Sequence, residues 1–323
     1  MKVNSNRDIS FKNIYTNKAM KKTLEFAADN GTLFAATTTL GFSTLVRPLV
    51  IYNTPNVEKE NKNTMCAKAI ASALTGFLLM LSLSLPLSKS IKKIDKNPEK
   101  YLKNETIKNI NEQKENIKNS ETYNFATQIF KLGLGLVAAI PKALITNATT
   151  PFVLDNIFDR KKSKKNISQN IAFKNKDFLP NLIGKSIDNK SFQEFSKKYK
   201  NSNFAMHISS LTDILTTTFF IAKTNQNKNL DNQEKNVLSK NAFLSTILCL
   251  ISSYTVDKML DKPTKKFIEK YSKINANDKN LIKQIEGIKI VKPMLILATI
   301  YYTIIPVIST ILTDKLIQNK NKF

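Results

Sequence analysis

Apolar residues along this chain are gathered into blocks, and polar stretches rich in Lys and Asn separate the blocks. A soluble amphipathic bundle distributes its apolar residues more evenly, at helical spacing. The two clearest blocks are residues 69–87 and 294–312, and neither contains a charged residue. Since a helix needs about 20 apolar residues to cross a bilayer, both blocks predict transmembrane helices.

Four weaker apolar blocks accompany these two. Each is short, rich in Thr and Ser, or interrupted by a charge, so each also fits a buried helix of a soluble protein. No block alternates apolar and polar positions as a strand does. The pattern therefore predicts an all-α, multi-pass helical membrane protein. The weaker blocks are residues 31–46, 132–154, 204–222 and 242–256.

Similar features recur in the same order in the two halves of the chain, which indicates a tandem duplication. Both halves contain a Thr triplet, at 37–39 and at 216–218, and the segments IDKNPEKY (94–101) and LDKPTKKF (260–267) follow matching apolar blocks. Chance likeness within a Lys/Asn/Ile-rich sequence is the alternative. The predicted organisation is a polar basic lead (1–23), a first membrane repeat (24–155), a basic cytoplasmic linker (156–203) and a second membrane repeat (204–323).

The positions of the 50 Lys and Arg residues constrain the topology, because basic residues collect in loops on the cytoplasmic side. If all six blocks crossed the bilayer, two of the most basic connections would lie outside. If only the first, second, fourth and fifth blocks cross, as two hairpins, 40 basic residues lie inside and six outside. The second arrangement is predicted, with both termini and the basic loops in the cytoplasm and the chain in a bacterial inner membrane.

Prolines supply a physical cause for two segments that do not cross. The third block contains Pro141 and Pro151. The sixth block begins directly after Pro293 and contains Pro306. A proline inside a helix removes a backbone hydrogen bond and can break the helix. Each half is therefore predicted to combine a transmembrane hairpin with a proline-broken re-entrant or interfacial segment. The sixth block is long enough to cross by itself, which leaves a full crossing as the alternative.

A formal net charge of +25 fits a protein that binds nucleic acid or anionic lipid. The chain has no zinc-finger, RNP-type or helix-turn-helix pattern, and its lysines are spread along every connection. The anionic headgroups of a bilayer are therefore the favoured partner, and nucleic acid is not. The strongest candidate for headgroup contact is the cluster Arg160, Lys161, Lys162, Lys164 and Lys165. A loop exposed to solvent would explain this cluster equally well.

Sequence motifs of enzymes and metal sites are missing. One His and two distant cysteines, Cys66 and Cys249, give neither a zinc site of usual spacing nor a disulfide framework. Phosphate-binding, dinucleotide-binding, nucleophile-elbow and HExxH motifs are also missing. The sequence therefore predicts no catalytic residue, no metal site and no cofactor, and the chain is not expected to be an enzyme.

Five ionisable residues lie within or at the edges of apolar blocks, where a charge is costly and normally faces a partner or a cavity. Asp213 and Arg47 lie in corresponding blocks of the two halves, and this placement suggests an ion pair between them. One interpretation is a proton- or anion-handling site between the halves. The other is structural: basic side chains reach toward the interface, and the rest make interhelical hydrogen bonds. The five are Arg47, Lys131, Lys142, His207 and Asp213.

These charges are not repeated at corresponding positions of the two halves, as they often are in transporters built from two repeats. A non-enzymatic structural or scaffolding role is therefore favoured over a small-solute or ion transporter with a site between the repeats. The remaining alternative is a soluble or peripheral helical protein that binds anionic lipid or nucleic acid through a basic surface.

Overall fold

A computed structural model describes residues 15–29, 31–111, 116–159, 178–200, 202 and 204–320. These residues form helices and connections, with no β-strand among them, so the prediction of an all-α fold is confirmed. The α-helices in chain order are α1 (Lys18–Asp29), α2 (Gly31–Gly41), α3 (Arg47–Tyr52), α4 (Lys59–Lys96), α5 (Pro98–Tyr101), α6 (Asn104–Ile110), α7 (Glu121–Ile157), α8 (Phe178–Ile187), α9 (Lys190–Tyr199), α10 (Phe204–Gln226), α11 (Asn232–Ile274), α12 (Leu281–Thr299) and α13 (Ile305–Lys320).

Four helices of the described chain are long and apolar enough to cross a membrane. They are Lys59–Lys96, Glu121–Ile157, Asn232–Val256 and the continuous run Lys283–Gln318. The two clearest apolar blocks of the sequence fall within the first and last of these. The prediction of helices of transmembrane length is therefore confirmed.

Helix α7 continues without interruption through Pro141 and Pro151, so the predicted break of the third block is wrong. Pro151 cannot donate to the carbonyl of Asn147, four residues earlier. That carbonyl instead accepts a hydrogen bond from the Asn227 side chain at 3.2 Å. A neighbouring segment thus satisfies the group that the proline leaves without its usual donor, and the helix persists.

Two other prolines follow wider, π-helical turns. Phe42–Val46 links α2 to α3 just before Pro48, and Ile300–Ile304 links α12 to α13 just before Pro306. The residue preceding each proline donates its N–H five residues back, to Phe42 and to Ile300 respectively. The sixth block is therefore helical from Leu281 to Lys320, with a π-helical turn where the sequence predicted a break. Such turns occur frequently at functional sites.

Pairwise contacts give the direction of each long helix. Helix α7 runs antiparallel to α4, because the Tyr123 hydroxyl meets Asp95 at 2.7 Å and Lys142 lies beside Gly76. Helices α7 and α10 run parallel, because Asn147 donates to Thr224 at 2.8 Å and Gly135 packs on Thr212. Helix α11 is antiparallel to both α10 and the run from α12 to α13. Each half of the chain therefore runs forward, back and forward.

The bundle has two distinct ends. The hairpin end contains the short turns 53–58 and 227–231, and the basic end contains α5, α6, α8 and α9. Asp159 lies at the hairpin end beside Asp231, whereas Ile183 of α8 packs with the basic-end cluster. Helix α7 therefore ends, and α8 begins, at opposite ends of the bundle. The basic cluster predicted to contact headgroups, Arg160, Lys161, Lys162, Lys164 and Lys165, lies outside the described residues.

Large apolar side chains are exposed around the long helices rather than only between them. They occur on every long helix, and together they are called the apolar belt here. A soluble monomer rarely exposes so large a continuous apolar surface. The most exposed members are Leu45, Leu49, Leu74, Leu78, Val137, Phe152, Phe243, Ile251, Ile304 and Leu316.

Candidate functional site

A cavity of about 340 Å³ lies at the centre of the bundle, between the two halves. Helices α4 and α7 of the first half and α10 and α11 of the second half form its walls. Both π-helical turns reach it, through Ser43 of the first and Tyr301 and Tyr302 of the second. The rings of Phe42 and Tyr302 are 5.7 Å apart, so the two turns also contact each other beside the cavity.

Four side chains of the Lys, Arg and Asp types line this cavity: Arg47, Lys68, Lys142 and Asp213. Three of them were predicted from the sequence as costly charges in apolar blocks. The fourth, Lys68, was not among the predicted residues, although it lies one residue before the charge-free block at 69–87, as Lys131 does before the block at 132–154. In the structure its ammonium group lies over the Phe220 ring, 4.9 Å from the ring centroid.

The predicted ion pair between Arg47 and Asp213 is not formed. The two residues line the same cavity, but Asp213 interacts electrostatically with Lys142. Within the described chain, no acidic side chain lies within 4 Å of the cationic groups of Arg47, Lys68 or Lys142. The cavity therefore holds three basic groups and one acidic group without a direct ion pair.

Three buried polar atoms on the cavity wall have no hydrogen-bond partner among the residues that the structure describes. They are Nε of Arg47, Oγ1 of Thr146 and Oγ of Ser245. Thr146 is only 3% exposed and Ser245 only 7%, so bulk solvent hardly reaches them. Because buried polar groups are almost always paired, these three atoms mark a place where a polar ligand or water binds.

Other wall residues are tied to one another and so fix the shape of the cavity. The hydroxyl groups of Thr217 and Thr246 lie 2.6 Å apart and join α10 to α11. The Tyr301 hydroxyl of the second π-helical turn is hydrogen-bonded to Ser253 of α11. The wall on the second half is therefore held by bonds that cross between helices.

Two further cavities lie between the central cavity and the basic end and share lining residues in sequence. A cavity of about 240 Å³ shares Lys142 and Asp213 with the central one and extends to Lys131. A groove of about 1540 Å³ shares Lys131 with this second cavity and opens at the basic end. Lys131, another predicted residue, thus lies between the centre and the groove. The lysines that line the groove are Lys92, Lys96, Lys118, Lys131, Lys279, Lys283 and Lys289.

A polar network closes the hairpin end. Asn61 donates to the Asp314 carboxylate at 2.8 Å and accepts from Gln233 at 3.2 Å. Asn61 is 1% exposed and Asp314 is 2% exposed, so both side chains are buried, whereas Gln233 is exposed. It joins α4, α11 and α13, which come from both halves. A cavity of about 300 Å³ beside this network shares no lining residue with the central cavity, whereas the second cavity toward the basic end shares Lys142 and Asp213 with it.

His207, the last predicted residue, lies away from the cavity. It is exposed on α10, and its Nδ1 is 2.6 Å from the Tyr254 hydroxyl of α11. This contact is the interhelical hydrogen bond of the structural interpretation. Among the described residues, no group of three His, Cys, Asp or Glu side chains is placed to hold a metal ion.

No known protein family, characterised protein or solved structure matches this chain. The geometry of the cavity is therefore the basis for a functional proposal.

Proposed function

We propose that this chain is an integral membrane protein that binds a small polar solute in its central cavity and moves it across the bilayer. The observation that carries the proposal is the gathering of Arg47, Lys68, Lys142 and Asp213 in one cavity between helices of transmembrane length. Charged groups at bilayer depth are costly, and in membrane proteins they mark substrate and ion pathways. A purely scaffolding role, which the sequence favoured, would not explain why charged side chains are placed at the depth of the apolar helices.

The apolar belt and the four long apolar helices support the membrane location. Lipid tails would cover the belt, and the lysines at the basic end would face anionic headgroups on the cytoplasmic side. In this proposal the hairpin turns 53–58 and 227–231 face the opposite side of a bacterial inner membrane.

The helix directions support a two-repeat architecture, because each half runs forward, back and forward. Transporters of parallel-repeat type bind their substrate near the midplane, at the interface between the repeats. The central cavity has that position. Its connection to the basic end and its closure at the hairpin end match one of the two states that alternating access requires.

Cysteine accessibility tests the proposal. The starting variant replaces Cys66 and Cys249 by Ser, and single cysteines then replace Ser72 and Thr217 on the cavity wall. In membrane vesicles, we expect a membrane-impermeant thiol reagent to modify both positions when it is applied to the basic side. A cysteine at Leu78, which is 65% exposed on the belt, is the matched control and should not react.

Absence of modification at both cavity positions, in a protein that remains in the membrane, would contradict a water-accessible central pathway. Equal modification of the control at Leu78 would contradict the lipid-facing belt. In either case the solute-moving function would have to be abandoned.

One observation favours a second candidate function, a helical protein whose apolar belt is covered by other protein chains. Helix α7 ends near Asp159 at the hairpin end, α8 begins at the basic end, and the sequence between them, residues 160–177, contains seven basic residues. A polar segment of this kind does not cross lipid unaided. This candidate predicts release from membranes by alkaline carbonate or high salt, whereas an integral protein stays in the pellet.

Labelling of the two ends of this connection separates the candidates further. Cysteines at Asp159 and at Asn181 lie at the hairpin end and the basic end respectively. An impermeant reagent applied to one side of intact vesicles should modify only one of them if α7 crosses the bilayer. Modification of both from the same side supports the second candidate.

A further inference from the structure

Given the proposed function, we infer that the solute bound in the central cavity is a small organic anion that carries a carboxylate or phosphate group. The inference concerns which solute binds, and a binding measurement can test it separately from movement across the bilayer. Arg47, Lys142 and Ser245 would bind the anion, and the lysine-lined groove would be its route from the basic end.

The balance of charge on the cavity wall is the first support. Three basic side chains and one carboxylate line a space of about 340 Å³ at the centre of the apolar helices. Like charges that are held together in a medium of low polarity repel one another and lack the solvation of water. An anion between them offsets both costs, whereas a cation would add to the repulsion.

Unpaired hydrogen-bond donors are the second, independent support. Nε–H of Arg47 is a donor only, and the hydroxyls of Thr146 and Ser245 can donate as well. Carboxylate and phosphate oxygens accept several such bonds, and bonds between charged groups are the strongest of their kind. The three atoms come from α3, α7 and α11, so they surround the cavity instead of forming one local turn.

The route from the basic end is the third support. The groove is lined by seven lysines but only by the carboxylates of Asp95 and Glu286. A cleft lined by one sign of charge concentrates ions of the opposite sign near its mouth. Lys131 and then Lys142 continue the series of positive charges inward to the centre. An anion therefore meets a basic group at each step of the route.

The charge selectivity of cysteine modification tests this inference without knowledge of the natural solute. The variant with a single cysteine at position 72 is treated with anionic sulfonatoethyl and with cationic trimethylammonioethyl methanethiosulfonate. The ratio of the two rates is divided by the same ratio for N-acetylcysteine amide in solution. We expect this normalised ratio to favour the anionic reagent by about tenfold or more.

Substitution of Lys142 by Gln should lower the normalised ratio several-fold, because it removes one of the three positive charges beside the reacting thiol. Lys262→Gln is the matched control, since Lys262 is exposed on α11 outside the cavity, and the ratio should not change. If Lys142→Gln fails to fold, the normalised ratio at Thr217→Cys, a second position on the cavity wall, tests the inference and should also favour the anionic reagent. A normalised ratio of one or below at the cavity positions overturns the inference.

Protection then distinguishes the two anion chemistries. At constant ionic strength, succinate represents carboxylates and glycerol 3-phosphate represents phosphate esters, and glycerol and putrescine are uncharged and cationic controls. We expect one of the anions to slow modification at position 72, with Ser245→Ala weakening that protection by about threefold to tenfold. Protection by putrescine or glycerol alone would overturn the inference.

Uptake into vesicles reconstituted with the full chain separates this inference from the proposed function. Anion protection without uptake of the protecting anion would retain the anion site and contradict transport. Uptake of putrescine or glycerol, without uptake of either anion, would retain transport and contradict the anion site.

Discussion

The docking of α1 on α12 depends on a glycine at the point of closest approach. A Cβ atom added to Gly287 would lie 2.2 Å from the carbonyl oxygen of Leu24 and 2.6 Å from its carbonyl carbon. Both atoms belong to the backbone, so no side-chain rotation relieves the clash. Replacing Gly287 by Ala therefore forces α1 away from α12 by about 1 Å, because ordinary contact begins at 3.4 Å.

The cost of this change follows from three contributions. Overpacking of a close contact costs about 1–3 kcal/mol. The hydrogen bond from Gln284 to Glu25, now 2.8 Å, would lengthen beyond its useful range and lose about 1 kcal/mol. The higher helix propensity of alanine stabilises α12 by about 1 kcal/mol and offsets part of this loss. We therefore expect α1 docking in Gly287→Ala to be weaker by about 1–3 kcal/mol.

Trypsin cleavage after Lys21 or Lys22 in α1 measures this docking in the full-length protein. When opening and closing are fast, the cleavage rate follows the population of the undocked helix. A loss of about 1–3 kcal/mol raises that population about fivefold to a hundredfold. Gly133→Ala is the matched control, because nothing lies within 4 Å of its added Cβ, and it should not accelerate cleavage. Equal cleavage rates for Gly287→Ala and the wild type would refute this reasoning.

Three other substitutions test the basic end, the hairpin end and the apolar belt. A hydrogen bond from Lys21 is the main cause that lowers the pKa of Asp278 from 3.8 to about 2, so this carboxylate stabilises the folded state above pH 4. The melting temperature of the wild type should therefore fall between pH 4 and pH 2. In Asp278→Asn this fall should be smaller than in the wild type. Asn61→Leu removes the donor to Asp314 and should open the hairpin end. A cysteine at position 72 should then react with an impermeant reagent that is applied from that side. An unreactive thiol would contradict closure by this network. Ile251→Lys places a charge on the belt, at a cost of about 2.5–3.5 kcal/mol in lipid, and should lower the amount of protein in the membrane fraction; an unchanged amount would contradict a lipid-facing belt.

The helical blocks were predictable because a helix that is able to cross a membrane needs a long apolar segment, which the sequence displays directly. Their full extents were not. Helix α4 continues from the apolar block 69–87 outward to Lys59 and Lys96, and α11 extends to Ile274. Beyond the apolar part, local polar sequence and contacts with neighbouring helices decide where a helix ends. A hydrophobic pattern alone has no information about those contacts.

The consequence of each proline also depended on neighbours in space. Pro151 leaves the carbonyl of Asn147 without its usual donor, and Asn227 supplies another donor from a turn 80 positions away. Pro48 and Pro306 follow π-helical turns instead. The sequence correctly located the positions where the helix ladder is perturbed. It could not distinguish a broken helix from one that is repaired by a neighbouring segment.

Most of the candidate site was visible in the sequence as misplaced charge. Arg47, Lys142 and Asp213 were selected because ionised groups in apolar blocks need a reason to be there, and all three line the central cavity. Their partners were not predictable from the sequence. Arg47 and Asp213 were expected to pair directly, and this ion pair is not formed. Lys68 escaped notice at a block edge, although the opposite helix places Phe220 under its ammonium group.

The arrangement of the helices explains why charges that are not repeated along the sequence still converge. The two halves of the chain run in the same direction, and each half, or unit, supplies different side chains to one shared cavity. Arg47, Lys68 and Lys142 come from the first unit, and Asp213 comes from the second. In the sequence, the unequal distribution of charges between the two halves argued against a transporter. In the structure, the same distribution corresponds to a single cavity whose two walls carry different charges. A symmetric set of charges would instead double the repulsion at the centre, since like charges in an apolar medium have little solvent to screen them.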